Sequence, residues 1–239
     1  MIYNKVLTNA EIEKQYNDTK SKFINEKLSI PLTLGLFGYY NFDKNSFEDL
    51  IESRNGTMLS SIEFDSNTPS GKGKTVKFNS NSGFITIPKS LWDNIEKISI
   101  SFWIKTNKTD YQPIFLQGPN RFDGLHTIAL NSKSIYIGNT SYCFACPSPV
   151  NYFDSKWHLI TITCDGINNT KANPNMTLYL DGNLFAISPG SEIMFDENYD
   201  LFIGSDGFTV SDCSLDNIRF YNRVLSQAEI KSIYDFEKL

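Results

Sequence analysis

Residues 98–106 read Ile-Ser-Ile-Ser-Phe-Trp-Ile-Lys-Thr, an apolar–polar alternation with a period of two. In an extended chain this puts Ile98, Ile100, Phe102 and Ile104 on one face and Ser99, Ser101, Trp103 and Lys105 on the other. Residues 157–164 (Trp-His-Leu-Ile-Thr-Ile-Thr-Cys) and 176–180 (Met-Thr-Leu-Tyr-Leu) alternate in the same way. Asp181-Gly182 follows at once and signals a type I′ hairpin, whose two central residues both need positive φ. Further strands are expected at 34–42, 75–79, 83–87, 113–117, 125–130, 134–138, 184–187, 200–204 and 215–221. Gly, Asn, Asp and Pro punctuate them, and almost no helical pattern precedes the C-terminus. Many short strands without crossover helices predict an all-β fold, an antiparallel sandwich or jelly roll.

The two ends of the chain nearly repeat each other. Ile2-Tyr-Asn-Lys-Val-Leu-Thr-Asn-Ala-Glu-Ile-Glu-Lys-Gln-Tyr16 matches Phe220-Tyr-Asn-Arg-Val-Leu-Ser-Gln-Ala-Glu-Ile-Lys-Ser-Ile-Tyr234 without a gap. Thr8 with Glu11 and Ser226 with Glu229 are capping boxes, so each copy reads as a strand end, a capped turn and a short helix. A closing motif that also opens the chain points to a tandem array. Residues 1–30 are therefore expected to be the tail of a preceding module plus a polar linker, and 31–239 one complete module. The helix near residues 8–16 carries an apolar stripe and is expected to pack on this module or on a neighbouring chain.

Composition narrows the class. The chain has 239 residues, 40% hydrophobic and 14% aromatic, which is ample for a core. Its formal charge is −5 and no basic run occurs, which argues against nucleic acid. No stretch approaches the ~18 apolar residues that span a bilayer, which argues against membrane insertion. Four cysteines are present. Cys143 and Cys146 form a Cys-x-x-Cys in a Pro-rich loop, while Cys164 and Cys213 stand apart. With only His126 and His158 to complete a ligand set, a loop disulfide or free thiols fit better than zinc.

The ordered motifs resemble the laminin-G-like, concanavalin-A-like lectin jelly rolls of pentraxin-related type. Leu36-Phe-Gly-Tyr-Tyr-Asn-Phe-Asp43 is similar to the opening aromatic strand. Lys74–Asn79 with Gly83–Pro88 resembles the second hairpin, and Ile100–Lys105 the Trp strand. Lys156–Gly166, Leu178–Asn183, Leu201–Gly204 and Leu215–Ser226 resemble the later segments. The resemblance implies a jelly-roll β-sandwich with short N- and C-terminal helices. It also implies a recognition or adhesion role in an extracellular, cell-surface or virion-associated parent, with other modules of that chain as neighbours and a glycan or glycoprotein as ligand. Clostridial neurotoxin sandwich domains share a looser form of the pattern.

Catalysis is not expected. Retaining glycosidases on this type of fold need two close carboxyls, usually from Glu-x-Asp-x-Glu on one strand. The nearest run, Glu63-Phe-Asp65, reads as part of a loop. Arg219 beside Asp216 reads as an ion pair at a sheet edge, and Trp157 with His158 as residues that position a central strand. Binding then falls to the loops 106–124, 139–155, 165–175 and 205–214, where aromatic faces and polar groups suit sugars. Candidate ligand residues are Asn120, Asp123, Tyr142, Phe144, Tyr152 and Asp206, with Tyr111, Phe208 and Asp212 in the same loops. The resemblance further implies a Ca²⁺ site at one rim, with Asp123 and Asp206 as its acids, although the sequence lacks the adjacent acids and amides of the pentraxins and a metal-free rim stays open. A structural spacer and a divergent glycoside hydrolase are the alternative readings.

Overall fold

A computed structural model describes residues 32–79, 82–92, 95–118, 127–131, 134–138, 143–147, 152–167, 172, 174–189 and 198–238. The chain divides into two units, 1–34 and 35–239. The second carries the strands β1 (Leu36–Tyr40), β2 (Thr57–Leu59), β3 (Glu63–Asp65), β4 (Thr75–Lys77), β5 (Phe84–Ile87), β6 (Ile98–Lys105), β7 (Gln112–Gln117) and β8 (Thr127–Asn131). β9 (Ser134–Gly138), β10 (Cys143–Pro147), β11 (Trp157–Cys164), β12 (Asn175–Leu180), β13 (Asn183–Pro189), β14 (Leu201–Ile203), β15 (Ser214–Tyr221) and the helix α1 (Gln227–Glu237) follow. The helix expected at 8–16 lies outside the described residues.

Two antiparallel sheets face each other. One runs β13-β12-β11-β6-β15-β4-β3, with β1 also paired to β15, and the other β10-β9-β8-β7-β14-β5-β2. The alternation read in the sequence sets the faces. Ile98, Ile100, Phe102 and Ile104 join Ile160, Ile162, Leu178, Ile203 and Phe220 in the core between the sheets. Asp181 and Gly182 both take positive φ, 51° and 78°, as a type I′ turn requires. A side chain at Gly182 would run into Lys231 of α1, which leaves room for hydrogen alone.

The outer face of the first sheet is also covered. Ser99, Ser101 and Trp103 are buried although they point away from the core. The capping box at Ser226 and Glu229 forms as read, and it starts α1 back along this face. Ser99 Oγ accepts the Leu225 N–H and donates to the Arg223 carbonyl, which fixes the entry to the helix. Tyr234 stacks on Trp103 with ring centroids 5.6 Å apart, and Ile230 and Ile233 are buried beneath.

Three sequence readings change. Residues 143–147 form a strand paired with β9 where a loop is expected. Glu63-Phe-Asp65 is likewise a strand, paired with β4, so its two acids share a face. Arg219 does not pair with Asp216 at an edge. A bulge between them, with Asn217 at φ 50°, shifts the register of a central strand, and Arg219 pairs with Glu237 of α1 instead.

Candidate functional site

Strand register builds a row of side chains at one end of the first sheet. Glu63 lies opposite Lys77, Lys77 opposite Ser214, Ser214 opposite Lys105 and Lys105 opposite Trp157. Directly opposed residues of antiparallel strands share a face. Val76, Ile104 and Leu215 point into the core, so this row lies on the outer face. Beside it opens a cleft of about 180 Å³ lined by Lys77, Phe78, Lys105, Thr106, Asn107, Ser155, Asp212, Cys213 and Ser214.

Thr106 is the knot that holds the cleft. Its hydroxyl donates to the Asp212 carbonyl at 2.8 Å and accepts the Lys108 N–H at 3.0 Å, while its own carbonyl accepts the Ser155 N–H at 3.2 Å. One buried residue thereby ties together the segments after β6, before β11 and before β15. The Phe78 N–H donates to the Cys213 carbonyl, which adds β4. Gly204, at φ 85°, presses on Phe78 so closely that a methyl group there would lie 2.4 Å from the ring.

The segment 204–213 forms a rigid projection at this end. Asp206 is fully buried, and its Oδ1 accepts the Phe208 and Thr209 N–H groups at 3.0 and 2.7 Å. The Asp206 N–H donates to the Thr209 carbonyl, and Ser205 bridges to Val210. This small hairpin leaves Phe208 61% exposed. An aromatic ring held out on a turn that is already hydrogen-bonded can meet a ligand with little further loss of freedom.

A second clamp stands next to Ser155. His158 Nδ1 lies 2.9 Å from Asp181 Oδ2 and Nε2 lies 3.1 Å from Asp154 Oδ1. Burial disfavours the imidazolium, but hydrogen bonds and charge from Asp181 and then Asp154 outweigh it and raise the His158 pKa. Burial likewise works against the Asp154 carboxylate. The Lys156 amide and the His158 ring nevertheless hold Asp154 down at about 2. Trp157 Nε1 donates to Asn67 Oδ1 at 3.0 Å. Both residues thus position β11, as read from the sequence.

Among the described residues, Tyr152 and Asp206 do not line this cleft. Tyr152 is 1% exposed and its hydroxyl donates to the Asn131 carbonyl, so it packs the core and offers no free face to a sugar. Asp206 organises a turn instead of pointing outward. Asn120, Asp123 and Tyr142 lie outside the described residues. Phe144 falls in β10 opposite Ile137. At one end of β7, Leu116 pairs with Thr127 of β8. Asp206 lies beyond the other end of β7, where the Asp212 N–H donates to the Gln112 side chain. Among the described residues no group of three His, Cys, Asp or Glu side chains could hold a metal.

The expected binding loops supply Thr106, Asn107, Ser155, Asp212, Cys213 and Ser214, whereas Lys77, Phe78 and Lys105 come from segments that the sequence does not mark as binding. Alternation puts Lys105 on the outer face of its strand. Only the pairing register sets it beside Ser214 and Lys77.

Comparison with solved structures agrees with this architecture. Domain 4 of an extracellular GH43 arabinanase from Geobacillus stearothermophilus, solved with arabinotriose, superposes with a TM-score of 0.66 at 16% identity, over 83% of this chain and 98% of that domain. The binding domain of Paraclostridial Mosquitocidal Protein 1 gives 0.66 at 17% identity, over 86% of this chain and 53% of that one. The binding domain of botulinum neurotoxin DC in complex with SialylT gives 0.65 at 14%, over 87% and 52%. The chain thus spans about half the length of these toxin domains. A search of curated protein sequences returns no match. The family model for the laminin-G type of concanavalin A-like lectins and glucanases matches residues 79–231, and the chain belongs to that superfamily.

Proposed function

We propose that the chain is a non-catalytic glycan-recognition module of a secreted or surface-exposed parent protein. The observation that carries this reading is the rim itself. Phe208 stands out on a braced hairpin whose base lines a small cleft of hydroxyl, amide and ammonium groups. Sugar recognition needs this pairing of an apolar ring with directed polar groups. The fold is shared with an arabinanase domain solved with arabinotriose and with a toxin binding domain solved with SialylT, which supports the same reading. Among the described residues no helix is long and apolar enough to cross a membrane.

A glycan array in Ca²⁺ and again in chelator tests this. Binding is expected, with little change in chelator. Among the described residues Asp212 is the only carboxylate lining the cleft and already meets Lys108 at 3.3 Å, whereas Ca²⁺ takes six to eight oxygens. Phe208→Ala should weaken binding about tenfold, or ~1.4 kcal/mol, with an unchanged melting temperature. Loss of binding in chelator would shift the site toward the Asp123 segment. No hits in either condition would favour a structural spacer.

The terminal repeat supports a modular parent. In the second copy Tyr221, Leu225 and Ile230 are buried, Ser226 and Glu229 form the cap, and Arg223 meets Glu229 at 2.8 Å. The matching positions of the first copy are Tyr3, Leu7, Ile12, Thr8, Glu11 and Lys5. These six positions keep residues able to do the same tasks, whereas buried Ile233 falls opposite Gln15 and Glu237 opposite Thr19, so residues 2–16 read as a partial copy of the closing segment. Removing residues 1–30 should leave cooperative unfolding intact, with a melting temperature within a few degrees. Loss of folding would instead assign that segment to this module.

A further inference from the structure

The rim cleft carries positive charge in a chain whose formal charge is −5. Ser214 lies opposite Lys77 on one side and opposite Lys105 on the other. The two lysines therefore stand on alternate strands, about 9.6 Å apart at ~4.8 Å per strand, with a small hydroxyl residue between them. A bulky residue at 214 would fill that gap. Serine leaves a slot that both ammonium groups can reach.

The local acids do not neutralise this slot. Lys77 meets Glu63 at 3.2 Å, and Lys108 meets Asp212 at 3.3 Å. Among the described residues no carboxylate lies within ion-pair distance of Lys105. The pair between Lys77 and Glu63 is solvent-exposed, with 42% and 56% of the side chains accessible. Pairs of that kind contribute little and exchange readily, so Lys77 can turn toward a ligand at small cost.

We propose that this slot is an anionic subsite, and that the recognised glycan presents an acidic sugar whose carboxylate or sulfate sits over Ser214 between Lys77 and Lys105. The inference rests on the glycan reading above and narrows it to acidic saccharides. The size of the cleft fits the assignment. It is smaller than the ~300–1,000 Å³ of sites that enclose drug-sized ligands, and suits one charged sugar unit with the rest of the chain outside. Thr106 and Ser155 belong to the hydrogen-bonded knot, so the floor of the slot is fixed before a ligand arrives.

Isothermal titration with three oligosaccharides of equal length tests this: neutral galactose, galacturonate and sulfated galactose. At least one acidic ligand should bind ten times or more tightly than the neutral one, and the acid that binds better identifies the anion. Its Kd should rise severalfold between 50 and 300 mM NaCl. Lys105→Gln should remove most of the preference for acid with an unchanged melting temperature. Lys77→Gln should act in the same direction. Equal binding of neutral and acidic ligands, or an acid preference that survives in the Lys77→Gln/Lys105→Gln double variant, would overturn the anionic subsite and keep the glycan reading. If neither these ligands nor the array shows binding, the glycan reading itself falls.

Discussion

Glu237→Ala lowers the stability of the module by about 3–5 kcal/mol, the usual consequence of leaving a buried charge without its partner. Arg219 and Glu237 are both almost inaccessible. The guanidinium donates to both carboxylate oxygens, and Trp103 Nε1 donates to Oε2 at 2.7 Å. Arg219 also lies over the Tyr39 ring at 4.3 Å and donates to the Tyr39 hydroxyl. Alanine at 237 strands the cation and the indole N–H together. The last turn of α1 then loses its anchor on the sheet. At ~2–4 °C per kcal/mol for a domain of this size, the melting temperature drops by roughly 10 °C. Urea unfolding of single and double variants checks this. Arg219→Met with Glu237→Leu should recover at least half the loss, because removing both charges removes the unpaired one. A single-variant cost below 1 kcal/mol would show that the ion pair does not hold the helix.

Asp216→Asn raises stability at neutral and alkaline pH. Asp216 is 3% exposed, and burial pushes its carboxyl up to about 8. The Asn217 amide and Arg219 oppose that rise, while the charges of Glu237 and Asp43 add to it. An acid with a raised folded pKa binds its proton more tightly in the folded chain than in the unfolded one. Its contribution is therefore present at low pH and is lost as pH rises from about 4 through 8. Asparagine keeps an oxygen for the Asn217 N–H, now at 2.7 Å from Asp216 Oδ1, and has no proton to lose. The expected gain at pH 7 is on the order of 2–4 kcal/mol at ~1.4 kcal/mol per pKa unit, and it should shrink to nothing near pH 4. His158, whose pKa is also raised, adds a decline of the same sign starting near 6.5, and the Asn variant keeps that part. Stability measured from pH 4 to 9 in both proteins reads the two contributions separately. A variant less stable than the parent at pH 8 would show that Asp216 is ionised and needed as an anion.

Much of the architecture is legible in the sequence. Alternation at 98–106 and 157–164 fixes which side chains face the core, because a strand has two sides and one of them must leave water. The Asp181-Gly182 turn and the Ser226 capping box are local chemistry, and both form as written. Local signals are weak where the strands are short or irregular in composition. Residues 57–59 and 63–65 are three-residue strands, too short to show a period. Residues 143–147 contain two cysteines and a proline, which look like a loop until a neighbouring strand supplies hydrogen-bond partners.

The site was far less legible. Tyr152 and Asp206 have the composition of ligand residues, yet one fills the core and the other braces a turn. Burial depends on what packs above a residue, and a single sequence does not contain that. The sequence by itself determined the two-faced strands, the hairpin at 181–182, the capped C-terminal helix and the repeat of that closing motif at the N-terminus. The first three arise from local patterning along short stretches of chain, and the repeat from direct comparison of its two ends. Only the tertiary structure decided that Lys77, Ser214 and Lys105 form one row, that Thr106 ties three segments, and that Glu237 neutralises a buried Arg219. Those relations join strands far apart in the chain, and register and packing set them, not local propensity.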